Sequence, residues 1–169
     1  KDAPPAKKGN EAARSVIARG AVEKLKRSNP AALMHPSNTK FIETGNTEDD
    51  LARLNDCDWV IEVVIERLDV KQALYKAIAP HLKKTAIVSS NTSTIPLEKL
   101  VEKCTKQFRA NFLITHFFNP PRYMRLLEVV TGPQTNADIV QKISKFGDEK
   151  LGKSIVPCAD RPGFIANRI

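Results

Sequence analysis

Glycine is scarce and scattered in this sequence: seven residues in 169, each isolated from the others. No Gly-x-Gly-x-x-Gly occurs, which excludes a Gly-rich phosphate-cradling turn of that kind within the chain. Cysteine is scarcer still. Cys57, Cys104 and Cys158 are widely spaced and odd in number, so they form neither a metal-ligand spacing nor a disulfide framework. They read as small, partly buried hydrophobes in a reducing compartment, the cytoplasm, and no metal is expected. No apolar run approaches the roughly 18 to 20 residues of a membrane span. No apolar stretch follows Lys1–Lys8 as a signal peptide would need. A membrane partner is therefore not expected. Aromatic residues make up only 6% of the chain and do not interleave with the basic ones. The net charge of +8 thus lacks the stacking platform of a nucleic-acid surface, and no nucleic-acid partner is expected. Basic groups at Lys7-Lys8, Lys24-Lys26-Arg27 and Lys83-Lys84 read as solvated surface, with a phosphate-bearing small molecule as the secondary reading.

What is present suits one ordinary domain with a real core: 41% hydrophobic and 27% charged residues over 169 positions. Residues 1–9 read as a loop. Helical spacing of Ala13, Val16, Ile17, Ala21, Val22 and Leu25 predicts a helix from Asn10 to about Ser28, ended by Asn29-Pro30. Lys40–Thr44 reads as a short strand. Thr47 reads as the N-cap of a short helix reaching about Asn55. Trp59–Val64 is an apolar, β-branched run, expected as a buried parallel strand. A helix is expected over Asp69–Leu82, a strand over Ala86–Ser89 and a helix over Pro96–Cys104 with proline at its first position. Strands follow at Phe112–Phe117 and Leu126–Val130, then a helix over Asn136–Leu151 ended by Gly152. A strand over Ser154–Val156 and a helix start at Phe164 complete the pattern. Strands alternating with helices predict an α/β fold with a mostly parallel sheet, its ligand site outside the carboxyl ends of the strands. Glu66, Ser93 and His116 all fall there.

The densest chemistry lies in Thr115-His116-Phe117-Phe118-Asn119-Pro120-Pro121, with Glu128 twelve residues after the histidine. Two prolines and an asparagine force a turn. If the flanking runs fold back around Arg122, His116 and Glu128 come level, because 116 and 128 lie equally far from 122. A carboxylate beside an imidazole fixes its tautomer and raises its basicity, as a general base requires. His35 and His81 carry no such context and read as ordinary satisfied residues. Ser93 could serve only as an N-cap for the helix at Pro96, and Asn167 only as a first-turn polar residue. Glu62, inside an apolar run, is costly if buried unpaired, so its plainer alternative is a strand end reaching solvent. The plainer alternative for Glu66 and Lys71 is a surface ion pair, worth about 0 to 1 kcal/mol.

Four motifs occur in order: Asp58-Trp59-Val60-Ile61-Glu62-Val63-Val64-Ile65-Glu66-Arg67-Leu68-Asp69-Val70-Lys71, Ser90-Asn91-Thr92-Ser93-Thr94-Ile95, His116-Phe117-Phe118-Asn119-Pro120 and Pro162-Gly163-Phe164-Ile165-Ala166-Asn167-Arg168. From about residue 10 to the last, the chain resembles the NAD-binding domain of 3-hydroxyacyl-CoA dehydrogenases. Its Pro-Pro-Arg-Tyr-Met-Arg-Leu-Leu-Glu continuation is similar to the long bacterial members, which often carry an enoyl-CoA hydratase-like region. The resemblance implies a Rossmann-like, doubly wound sheet, NAD as cofactor and an acyl-CoA substrate whose 3-hydroxyl is oxidised in fatty acid β-oxidation. It places the general base on His116 and its orienting carboxylate on Glu128. It puts a contact to both substrate and nicotinamide on Ser93, and a substrate contact on Asn167. Cofactor contacts fall on Val63, Glu66, Lys71, Ser93 and Asn119. Lys24, Lys26 and Arg27 are candidates for the CoA phosphates.

The family's first strand, Gly-rich turn, first helix and second strand have no counterpart here, nor does the helical domain after Asn-Arg. The chain is therefore expected to be the middle of a longer protein. Residues 1–9 are the loop, 10–163 a partial NAD-binding Rossmann domain lacking its first β-α-β, and 164–169 the start of a helical C-terminal domain. The parent is expected to be an oxidoreductase that is a homo-oligomer or a multifunctional chain. The fragment alone is expected to be inactive. The alternative is a non-catalytic nucleotide- or CoA-binding module of the same fold, which has no need of Glu128.

Overall fold

The computed structural model describes residues 14–168. The loop expected at 1–9 and the first turn of the helix expected from Asn10 lie outside them. The chain divides into two compact units, residues 1–53 and 54–169.

In the first unit, helix α1 spans Val16–Leu25 and buries no residue. The Ser28 hydroxyl donates to the carbonyl of Leu25 at 3.0 Å and accepts from the Ala32 N–H at 3.0 Å. The strand expected at Lys40–Thr44 does not form. Pro36–Phe41 is a 3-10 helix instead, capped by His35, whose ring nitrogen accepts from the Ser37 N–H. Local bonds such as Thr39 Oγ1 to the Pro36 carbonyl satisfy that backbone, and among the described residues no strand of the unit offers a ladder in their place. The cap expected at Thr47 belongs to Asn46. Its side-chain oxygen accepts from the Glu48 and Asp49 N–H groups at 2.9 and 3.0 Å, an Asx turn. The helix that follows is 3-10, over Leu51–Asp56.

The second unit is a five-stranded sheet in the order β1-β2-β3-β4-β5. The strands are β1 Trp59–Glu62, β2 Ile87–Ser90, β3 Phe112–Phe117, β4 Leu126–Val130 and β5 Ser154–Cys158. All neighbours run parallel except β3 and β4. Helix α2 (Leu68–Ile78) joins β1 to β2, α3 (Leu97–Val101) and α4 (Lys106–Ala110) join β2 to β3, and α5 (Ala137–Glu149) joins β4 to β5. This is the α/β, mostly parallel architecture that the alternation of elements predicts. One face packs Ile87, Leu113, Leu127 and Val129 against Ile139 and Ile143 of α5. The other stacks Tyr75, Phe108 and Phe112, with ring centroids 5.4–5.8 Å apart. Burying an apolar side chain of this size contributes about 1.5–3 kcal/mol.

Strand β1 corrects the expectation of a buried six-residue run. It ends at Glu62, and Ile61 and Val63 are 41% and 67% exposed. Two causes are visible. Among the described residues β1 pairs only with β2, and the Val64 N–H donates to the Glu62 carboxylate at 2.7 Å instead of continuing a ladder. The helix expected over Pro96–Cys104 is shorter. Pro96 holds the N-cap position, and Asp160 caps the Leu97 N–H with both carboxylate oxygens, at 2.9 and 3.1 Å. Helix α4, capped by Thr105, is an element that sequence periodicity missed. Helix α5 begins one residue later than expected, with Asn136 as its N-cap, and has a left-handed Gly152 (φ 63°) beyond its end. The helix expected at Phe164 is a turn followed by a 3-10 segment over Ala166–Arg168.

Candidate active site

Strands β3 and β4 hold the central pair. Their antiparallel register sets Ile114 opposite Val130 and His116 opposite Glu128, as the equal spacing about Arg122 requires. Alternation along a strand turns 112, 114 and 116 to one face, so the histidine and carboxylate share it. His116 Nδ1 lies 2.8 Å from Glu128 Oε2. Glu128 is fully buried and His116 is 7% exposed. Burial works against the Glu128 charge, but hydrogen bonds from His116 and from the Ala166 and Ile165 N–H groups outweigh it and hold its pKa below the usual value. A carboxylate only accepts, so Nδ1 carries the proton and Nε2 of the neutral ring carries the lone pair. The rings of Phe118 and Phe164 flank the imidazole edge-on, at 4.5 and 5.5 Å between centroids.

The second cluster lies at the carboxyl ends of β1 and β2. Glu66 accepts from the Thr92 hydroxyl, from the Ser93 and Thr94 N–H groups at 3.0 and 3.1 Å, and from the Thr94 hydroxyl at 3.1 Å. Burial opposes its charge, yet the bonds from Thr92 and Ser93, the Lys71 ammonium and the Thr94 bond bring its pKa down to about 2. Lys71 is 1% exposed. It donates to Glu62 at 2.7 Å and to the Val64 carbonyl at 3.3 Å, and lies 3.4 Å from Glu66. Glu62 is likewise buried and takes the Tyr75 and Ser90 hydroxyls, each at 2.7 Å. The plainer alternatives weighed for Glu62 and Lys71, a solvent-reaching strand end and a surface ion pair, do not hold.

Ser93 is half-buried, and its carbonyl accepts from the Gly163 N–H at 2.9 Å. It does not cap α3. Asn119 and Asn167 are exposed, Asn119 two residues beyond β3 and Asn167 with its N–H on the Gly163 carbonyl at 3.2 Å. The residues therefore gather in two groups, His116 with Glu128 and Ser93 with Glu66 and Lys71, linked by the segment 163–166.

Three supporting residues carried no sequence signal of their role. Asn91 accepts from the Phe117 N–H at 2.8 Å and pins the end of β3. Lys153, 6% exposed, donates to the carbonyls of Pro121 and Met124 and fixes the turn after the histidine. Asp160 ties α3 to the segment before Gly163. The spacing Gly147-x-x-x-x-Gly152-Lys153-Ser154 matches a phosphate-loop pattern. It closes a helix and opens a strand, however, the reverse of the strand-loop-helix order, and its lysine is bonded to carbonyls.

The sequence profile described as the 3-hydroxyacyl-CoA dehydrogenase, NAD binding domain matches residues 5–161. The chain belongs to this family. The family's domain is NAD-binding by its description. A probable 3-hydroxyacyl-CoA dehydrogenase of Deinococcus radiodurans is 45% identical over 156 residues, 92% of this chain and 45% of that protein. A putative fatty acid oxidation complex trifunctional enzyme of Rickettsia felis is 47% identical over 153 residues, 90% of this chain and 21% of that protein. Among solved structures, M. tuberculosis FadB2 is 31% identical with a TM-score of 0.79, covering 94% of this chain and 56% of that one. The chain thus spans less than half of each of these two curated relatives.

The described residues fit NAD in part. Exposed Val63 and Ile65 beside the polar Glu66–Ser93 rim suit a ribose and a flat ring. Helix α2 offers little to a phosphate, since its first turn carries Asp69. No group of His, Cys, Asp and Glu among the described residues is arranged to hold a metal ion, and no helix there is long and apolar enough to cross a membrane.

Proposed function

We propose that the full-length protein oxidises the 3-hydroxyl of a 3-hydroxyacyl-CoA to the 3-keto product, with His116 as general base oriented by Glu128. The observation that carries this is the buried 2.8 Å contact between His116 Nδ1 and Glu128. It leaves Nε2 to accept the hydroxyl proton, and Glu128 stabilises the imidazolium that forms. NAD, when bound, supplies the hydride acceptor. Ser93 and Asn167 contact the substrate, and Val63, Glu66, Lys71, Ser93 and Asn119 form the cofactor side.

The names of the D. radiodurans and R. felis relatives support this substrate class and a place in fatty acid oxidation, which this reading sets in the cytoplasm. The trifunctional R. felis relative supports a multifunctional parent, and a homo-oligomer is the other form this reading allows. Residues 10–163 are then part of the NAD-binding domain and 164–169 open a helical one. The 169-residue chain alone is inactive in this reading, because it contains no Gly-rich phosphate turn. The test is His116→Gln in the full-length protein, assayed by NADH-dependent reduction of acetoacetyl-CoA. A loss of about 100-fold or more is expected for a general base, and an undiminished rate overturns the proposal.

A further inference from the structure

Residues Gly163–Ala166 touch three residues of the proposed site, Ser93, His116 and Glu128. The Gly163 N–H binds the Ser93 carbonyl at 2.9 Å. The Phe164 ring stands edge-on to the His116 imidazole at 5.5 Å. The Ile165 and Ala166 N–H groups both bind Glu128 Oε1, at 3.0 and 2.9 Å, while Oε2 faces His116. The Glu128 carboxylate is thus shared: one oxygen orients the imidazole and the other is held by main chain.

The backbone is bent to make this possible. Gly163 has φ 80° and Phe164 has φ 45°. Phe164 is the one non-glycine residue with positive φ among those described, and left-handed backbone is disfavoured for a side chain carrying a Cβ. Such strain persists only where the surroundings over-determine it, and it gathers at functional sites. Here the bend aims consecutive N–H groups into one concavity, an arrangement that holds anions. It also sends the Phe164 side chain inward, where it is 5% exposed, against the ring it covers.

We propose that Gly163–Ala166 is a main-chain clamp on the base pair, with Phe164 as a positioning residue that walls the His116 imidazole into the orientation Glu128 sets. This rests on the reading of His116 as the base. A glycine at 164 tolerates the left-handed backbone, so Phe164→Gly removes the wall and leaves the N–H groups able to reach Glu128. Phe164→Leu keeps apolar cover and loses the planar edge.

The experiment compares these two variants with His116→Gln in the full-length protein. Phe164→Gly is expected to lower kcat about tenfold to a hundredfold with KM for acetoacetyl-CoA and NADH nearly unchanged, since misplacement of a base acts on the chemical step. Phe164→Leu is expected to recover part of that loss. Wild-type kcat in folded Phe164→Gly, beside an inactive His116→Gln, overturns the clamp alone. Full activity in His116→Gln overturns the reading beneath it. If Phe164→Gly does not fold, the decision passes to Phe164→Leu through the low-field Nδ1–H proton resonance of His116. Faster exchange with water than in wild type supports the clamp, and unchanged exchange overturns it.

Discussion

Two buried carboxylates on strands of the same sheet each meet a nitrogen at nearly the same distance: Glu62 with Lys71 at 2.7 Å and Glu128 with His116 at 2.8 Å. Glu62 spreads its two oxygens over Lys71, the Val64 N–H, Tyr75 and Ser90. Lys71 returns its donors to Glu62, the Val64 carbonyl and Glu66. Burial, then the Glu62 charge, pushes the Tyr75 phenol well above its usual pKa, so it stays a donor. Glu62, Lys71, Tyr75 and Ser90 thus bond one another and hold the loop after β1. Glu128 takes one ring nitrogen of His116 and two main-chain N–H groups, and leaves Nε2 for another partner. The difference lies in the cation. An ammonium has donors only and closes its network into a strut, whereas an imidazole has a second ring nitrogen and can transmit a proton. A buried ion pair is by itself weak evidence of function or of stability.

That contrast can be broken first at Glu128. In Glu128→Gln the amide can donate to Nδ1 and favour the tautomer that protonates Nε2. Steady-state assays of the full-length protein are expected to show kcat lower by about 10²- to 10⁴-fold. Activity near wild type would make this pair a strut like the other. Next is Lys71→Met, which strands the Glu62 charge. Urea titration is expected to show a loss of about 3–5 kcal/mol, with much of it regained in Glu62→Gln/Lys71→Met. A neutral single variant would mean that the cluster holds nothing.

The smallest effect is at Glu66. Its folded pKa of about 2 lies below the roughly 4.3 of an unfolded glutamate. Its stabilisation is therefore complete above the unfolded value and is lost as the pH falls toward 2. Stability measured from pH 7 downward is expected to show Glu66→Gln below wild type at neutrality, with the gap closing through that window. A gap that is constant with pH removes Glu66 from the network.

The meeting of His116 with Glu128 was readable because everything that places it is local. The turn centred on Arg122, the apolar runs on either side and period-two alternation fix which residues meet, and β3 and β4 have the bounds that these patterns predict. The start of α5 near Asn136 and its end near Gly152 were readable for the same reason. The Glu62 cluster was not. Its members come from positions 62, 71, 75 and 90, and whether a charged side chain turns inward is decided by partners that far along the chain. Lys40–Thr44 failed in the opposite way. Its residues suit a strand, but a strand requires a neighbour, and local 3-10 bonds form without one. The clamp at 163–166 depends on a phenylalanine in a conformation that sequence preference argues against.

The bond from the Gly163 N–H to the Ser93 carbonyl joins the two halves of the site without a side chain at either end. Alanine scanning would pass over it, since replacing Ser93 leaves the carbonyl in place. A survey of side-chain substitutions would report Ser93 and Glu128 as independent, although the main chain of 163–166 fastens one to the other. Side chains on both sides of that bond can change while the spacing between Ser93 and Glu128 is still set by the main chain.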